Sequence, residues 1–180
     1  MRPNSPLLAL RQARQQLLET GQCPVGVLDD HLVRSWHRSL AAGLAPTGRP
    51  VTDHAGSASL RQALANSHAL LAHSRPVMEY VFEQVRHRQS VVVLADSHGM
   101  LMHTLGDVSF VGKAERVALT SGASWNEAHR GTNAIGTALA ERSAVEIHGG
   151  EHFLERNGFL TCAASPILSA TGELMGVLDI

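Results

Sequence analysis

Ser90-Val91-Val92-Val93-Leu94-Ala95-Asp96-Ser97-His98-Gly99-Met100-Leu101-Met102-His103-Thr104-Leu105 is where the chain changes its hydrophobic period. Before it, apolar residues recur at threes and fours; here they run together. Val91 to Asp96 reads as a buried strand, Ser97-His98-Gly99 as a turn, and Met100 to Leu105 as the antiparallel partner. A second hairpin closes the sequence, with Phe159 to Leu168 and Leu174 to Ile180 joined through Ser169-Ala170-Thr171-Gly172-Glu173. Ala144 to Ile147 supplies a further short strand, and Gly149 to Phe153 a tight turn leading into a brief helix.

Outward from these hairpins the chain is helical. Pro6 to Thr20 sets Leu7, Leu10, Ala13, Leu17 and Leu18 on one face and stops at Gly21. Val25 to Gly43 makes a second helix starting at Asp29 or Asp30. Its apolar stripe is Leu32, Val33, Trp36 and Leu40, and its polar face is Arg34, Ser35, His37, Arg38 and Ser39. Pro46, Gly48, Pro50 and Gly56 mark Ala45 to Ser57 as a linker. The expected division is an N-terminal helical segment with linker, residues 1–57, and a sheet domain, residues 58–180. Leu60 to Arg88 is long and helix-favouring, kinked or divided at Pro76. It pairs with its own copy in a dimer or packs on its own domain. A short helix is expected around Lys113 to Ala118. Helices, hairpin, helices, hairpin predicts an α+β fold, an antiparallel sheet with helices around it. The last strand runs to Asp179-Ile180 without a closing turn, as in a piece of a longer protein.

Bulk properties narrow the function classes. A chain of 180 residues with 44% apolar and 17% charged residues can bury one ordinary core. A formal net charge of -1 with no basic arm argues against nucleic-acid contact. The apolar runs are too short to span a membrane, and the N-terminus lacks the unbroken apolar core of a signal peptide. Cys23 and Cys162 are far apart, which suits a reducing cytoplasm. Cys162 reads as a buried inert thiol, with a redox role as the alternative. Asp96 and Asp179 end strands and read as caps or turn residues. His148 and His152 are four apart, but Gly149-Gly150 between them breaks the helix that would point both rings at a metal. No metal and no cofactor is expected.

The densest chemistry lies in Trp125 to Leu139, Trp-Asn-Glu-Ala-His-Arg-Gly-Thr-Asn-Ala-Ile-Gly-Thr-Ala-Leu. An indole, a carboxylate, an imidazole and a guanidinium precede a helix that Thr132 or Asn133 caps and that ends near Arg142. Gly131 permits an unusual backbone angle or a close approach. Such a stretch either holds a small molecule or locks a loop.

Several ordered segments resemble one group, the acetoin-catabolism regulators among the bacterial enhancer-binding activators. They are Ser35-Trp36-His37-Arg38-Ser39 with Gly43-Leu44-Ala45-Pro46, Arg75-Pro76-Val77-Met78, and the Val91 to Gly99 hairpin. Gly122 to Glu127, Gly131 to Leu139, Gly150-Glu151-His152-Phe153, Cys162 to Ile167 and Gly176 to Ile180 complete the match. The resemblance implies an N-terminal GAF sensor domain, GAF-like in its antiparallel sheet. An AAA+ ATPase acting on sigma-N polymerase and a helix-turn-helix would follow it. It implies a dimeric, cytoplasmic, non-enzymatic regulator whose effector is a small ketone, hydroxyketone or diol such as acetoin. In a GAF-type pocket Trp125 and Phe153 would be walls, and Glu127, His129 and Asn133 would bond a hydroxyl or carbonyl. The structural alternative is a polar network fixing the loop, with Arg130 paired to Glu127 or Glu151, Thr132 as cap, and Gly131 and Gly136 as packing or turn residues. Two other functions stay open: a dimerisation module without a ligand, and a cysteine- or metal-based redox sensor or enzyme.

Overall fold

The computed structural model describes residues 7–49, 57–107, 110, 112 and 117–180. Five antiparallel strands form one sheet: β1 (Val91–Asp96), β2 (Leu101–Gly106), β3 (Val145–His148), β4 (Thr161–Leu168) and β5 (Leu174–Asp179). Their order is β2-β1-β5-β4-β3, so the two hairpins lie side by side and β5 is central. With helices around this sheet, the architecture is the expected α+β.

β1 is apolar without alternation because both its faces are covered. Val91, Val93 and Ala95 join the larger core, while Val92 and Leu94 join a second cluster with Leu70 and Met78. β4 has one covered face at its start: Cys162 and Ala164 are buried, whereas Thr161, Ala163 and Ser165 are exposed. The β1–β2 turn is closed by Asp96, whose Oδ1 accepts from the amides of His98 (2.8 Å) and Met100 (2.9 Å), as a turn residue should.

The helices are α1 (Leu7–Thr20), α2 (Asp30–Ala41), α3 (Ser57–Asn66), α4 (His68–Val85), α5 (Glu127–Arg130) and α6 (Ala134–Glu141). Gly21 ends α1 at φ +73°, its amide bonded to the Leu17 carbonyl. The long helical stretch divides at Ser67, not at Pro76, which lies inside α4. Pro76 is on the exposed side, so the Ala72 carbonyl that loses its amide partner is left to water. Asn66-Ser67 are weak helix formers and supply the break instead. The helix expected around Lys113 to Ala118 falls largely on residues 113–116, outside the described residues, as do residues 50–56 of the linker. Among the described residues no helix is long and apolar enough to cross a membrane.

α4 packs on β1 and β2 at one face, and α6 packs over β3, β4 and β5. Leu10, Ala13 and Leu17 of α1 and Leu32 and Trp36 of α2 belong to the same core as the inner face of the sheet. Those two helices also hold the loop after β3. The Arg14 guanidinium donates to the carbonyls of Gly150 (2.6 Å) and His152 (2.8 Å), and Trp36 Nε1 donates to that of Glu151 (2.7 Å). Phe153, fully buried, meets Trp36 edge-on at 6.5 Å between ring centroids. Gly131 makes this approach possible. It sits at φ +64°, and a Cβ there would lie 2.8 Å from that of Phe153.

Two outcomes follow from this packing. Gly131→Ala should cost about 2–4 kcal/mol, combining a left-handed backbone with overpacking, read by urea denaturation. The His152 ring is buried with Nδ1 donating to the Gly149 carbonyl (3.0 Å), and desolvation drops its pKa from 6.5 to about 4. As pH falls below 6.5 the unfolded chain takes up a proton that the folded chain refuses until about pH 4. Stability present above that window is therefore lost through it, by up to about 3 kcal/mol. His152→Phe should show a shallower loss of melting temperature between pH 7 and pH 4 than the parent chain.

Candidate functional site

The stretch that opens on Trp125 folds as a short loop, the single turn of α5, and α6. Asn133, not Thr132, caps α6: its side chain accepts from the Gly136 amide (2.9 Å) and donates to the Gly131 carbonyl (2.8 Å). Its β-region backbone (φ -155°, ψ 158°) suits that role. Gly136 lets the loop lie on the helix, since a Cβ there would be 2.8 Å from both the Glu127 amide nitrogen and the Trp125 carbonyl oxygen.

Glu127 is the centre of a buried polar network. Its Oε1 is 2.5 Å from Ser35 Oγ, 2.7 Å from Thr137 Oγ1 and 3.0 Å from Arg38 Nη2, and its Oε2 accepts from Arg38 Nε. Ser35 Oγ also lies 2.7 Å from Thr132 Oγ1, and Ser39 Oγ donates to the Ser35 carbonyl (2.9 Å). Thr132 is thus a buried hydroxyl of the network rather than a cap. Arg38 continues outward to Glu141 (2.8 Å), which Arg34 also grips at 2.5 Å. Those bonds, Arg34's first, hold the Glu141 carboxyl below its ordinary pKa.

Arg130 pairs with neither Glu127 nor Glu151. It is buried and folds back so that its guanidinium carbon lies 5.3 Å from the Trp125 ring centroid. It donates to the carbonyls of Ser124 (3.0 Å) and Val117 (2.8 Å). Arg38 already occupies Glu127 in a two-pronged grip, and Glu151 Oε2 accepts from the His148 amide (2.7 Å). Desolvation lowers the Arg130 pKa to about 10, which still leaves it cationic near neutrality.

The five residues expected to meet a ligand are placed as follows. Trp125 is buried with Nε1 donating to the Ala118 carbonyl (2.9 Å). Its carbonyl, the Glu127 amide and the Asn133 side chain converge on Gly136. Phe153 stands beyond Gly131, against Trp36. His129 is half-buried, its Nδ1 2.8 Å from Ser124 Oγ. Sequence reasoning placed Ser35, Arg38 and Ser39 on the polar face of α2 and gave them no part in the site. The available signal was their spacing, 35, 38 and 39, a stripe of its own on a helix already buried along Leu32 and Trp36.

The histidines are dispersed: His148 Nε2 lies 3.4 Å from Glu146 and His152 faces the Gly149 carbonyl. Among the described residues no group of three or more His, Cys, Asp or Glu could hold a metal ion. Cys23 and Cys162 are free thiols, both pushed up in pKa by burial.

Residues 6–180 match the family described as "MimR, N-terminal domain". The chain belongs to this family. It is 32% identical over 160 residues to the acetoin dehydrogenase operon transcriptional activator AcoR of Bacillus subtilis, covering 86% of this chain and 26% of that protein. To the propane 2-monooxygenase operon transcriptional activator MimR of Mycolicibacterium goodii it is 29% identical over 182 residues, 100% of this chain and 30% of that protein. In the crystal structure of the E. coli DhaR(N)-DhaL complex, a chain superposes with a TM-score of 0.79 at 18% identity. That match covers 84% of this chain and 51% of the other, and supports a GAF-like fold for this member of the MimR N-terminal family. The chain spans between 16% and 40% of the length of the curated relatives it matches.

Glu127→Ala removes an acceptor that α2, α5 and α6 share. It should destabilise this domain by about 2–3 kcal/mol, less than the ~3–5 of a wholly buried pair because Arg38 is partly solvated. A double-mutant cycle with Arg38→Ala, read by urea denaturation, should show a coupling above about 0.5 kcal/mol.

Proposed function

We propose that the chain is the effector-sensing N-terminal domain of a bacterial transcriptional activator. Its effector is a small ketone, hydroxyketone or diol, of which acetoin is the leading case. The supporting observation is the match over residues 6–180 to the N-terminal domain of an activator, with a relative named for the acetoin dehydrogenase operon. The geometry suits sensing. Trp125 lies in the core on the inner face of the sheet, α6 packs over β3, β4 and β5, and Glu127 ties the loop between them to α2.

In this reading Trp125 and Phe153 wall the ligand space and His129 stands at its half-exposed rim. Glu127 and Asn133, already bonded within the chain, set the position of the loop the ligand closes on. A ligand preferring one placement of the loop shifts the helices with it, and the shift is limited to that difference in affinity. The domain works as a cytoplasmic homodimer and regulates rather than catalyses. Its output passes to an AAA+ ATPase acting on sigma-N polymerase, with no nucleic-acid or membrane contact of its own. A second reading, a dimerisation module without a small ligand, is favoured by Val77 and Tyr80, which α4 leaves 50% and 68% exposed.

Titration with acetoin, butane-2,3-diol and butanone separates the two. Sensing predicts that one of them at about 100 times its Kd stabilises the chain by about 2.7 kcal/mol, raising Tm by roughly 5–10 °C. No shift and no calorimetric heat with any of the three, together with a concentration-dependent dimer in sedimentation, would establish the second reading.

A further inference from the structure

Among the described residues a few buried polar side-chain atoms lack a partner, and Asp179 Oδ1 is the one that belongs to a carboxyl. It lies on β5, the central strand, in a cross-strand row with Val93 of β1 and Ala164 of β4. Thr104 and Val145 extend the row through β2 and β3. The residue is 2% exposed, and its Oδ1 has no hydrogen-bond partner. The Ile180 amide reaches the carboxyl, but that amide also serves the Ala163 carbonyl (3.0 Å). Asp179 is therefore neither the cap nor the turn residue that its place at a strand end suggests.

Beyond the Ile180 amide its surroundings are apolar but for the Cys162 thiol, a weak donor. Val93, Ala164 and Cys162 are buried in the core on this face, which also includes Trp125, Ala134, Ile135 and Ala138, with Phe110 packed against it. Desolvation pushes the Asp179 pKa up to about 7. A carboxyl in such a place weakens the fold, and a valine or leucine would pack there without penalty. A buried polar atom left unmatched by the chain can be matched by a ligand, and the residues around this one belong to the same core as Trp125.

We propose that Asp179 is the recognition group for the effector, accepting a hydrogen bond from the hydroxyl of a small neutral molecule held between the sheet's inner face and the Trp125–Asn133 loop. The proposal rests on the sensing reading above and adds to it the group that tells a hydroxyketone from a plain ketone. A site built to bond a hydroxyl rejects the analogue lacking it, because the acceptor is then left buried and empty. Affinity for apolar bulk belongs to the walls; selection for the hydroxyl belongs to Asp179.

The test is calorimetric titration of the chain with acetoin and with butanone, for the parent, Asp179→Leu and Asp179→Asn, alongside melting without ligand. The parent should bind acetoin at least tenfold more tightly than butanone. In Asp179→Leu the preference should fall to within twofold, and the ligand-free variant should melt higher than the parent. Should Asp179→Leu not fold, Asp179→Asn should still reduce the preference at least threefold. A preference unchanged in a folded variant, or a lower melting temperature for folded Asp179→Leu, overturns the assignment and leaves the sensing reading standing. A parent that binds neither compound removes the sensing reading for this chemistry and the assignment with it.

Discussion

A carboxylate out of water must find donors, and Glu127 finds them on two helices besides its own. Ser35 and Arg38 come from α2 and Thr137 from α6, while Glu127 itself belongs to α5. None of these elements can shift alone without stripping the carboxylate of a partner, and leaving such a group half-satisfied in a low dielectric is costly. Glu141 extends the constraint along α6 by sharing Arg38 and adding Arg34. Three short elements, each too small to be stable alone, thereby behave as one body.

The same logic fixes the other side of the domain. The loop after β3 has carbonyls that no strand satisfies, and α1 and α2 satisfy them through Arg14 and Trp36. α2 therefore bonds in two directions, toward Glu127 by Ser35 and Arg38 and toward the Glu151 carbonyl by its indole. A displacement of the loop leading to Asn133 or of the loop leading to Phe153 reaches α2 either way. For a regulatory domain this is an economical design, since events on the inner face of the sheet and the position of an N-terminal helix share one set of hydrogen bonds.

How much of this could be read from the residues alone varies with the kind of interaction. The hairpins were legible because Val91 to Asp96 is apolar without interruption and Gly172 marks the second turn. The cap was half legible: Thr132 and Asn133 are both capping types, and only the fold shows that Thr132 is needed by Ser35. The partners of Arg130 were not legible. Backbone carbonyls carry no sequence signature, so a guanidinium bound to Ser124 and Val117 looks in sequence like half of an ion pair. Pro76 misled for a related reason, because whether a proline breaks a helix depends on whether the abandoned carbonyl can reach water. The polar stripe of α2 was hidden by assuming that a surface helix has one buried face.

Glu127 and Asp179 make the sharpest comparison, since both are acids sealed in one small domain. Glu127 has donors supplied by residues distributed over the chain, at positions 35, 38 and 137, and its burial is explained by the architecture it joins. Asp179 sits in a row with Thr104, Val93, Ala164 and Val145, and one of its oxygens is unmatched. If folding alone decided what stands there, the first carboxyl could be kept and the second would be replaced by a hydrocarbon. An acid that the fold uses is surrounded by its partners; an acid held at the fold's expense points to a partner that arrives from outside.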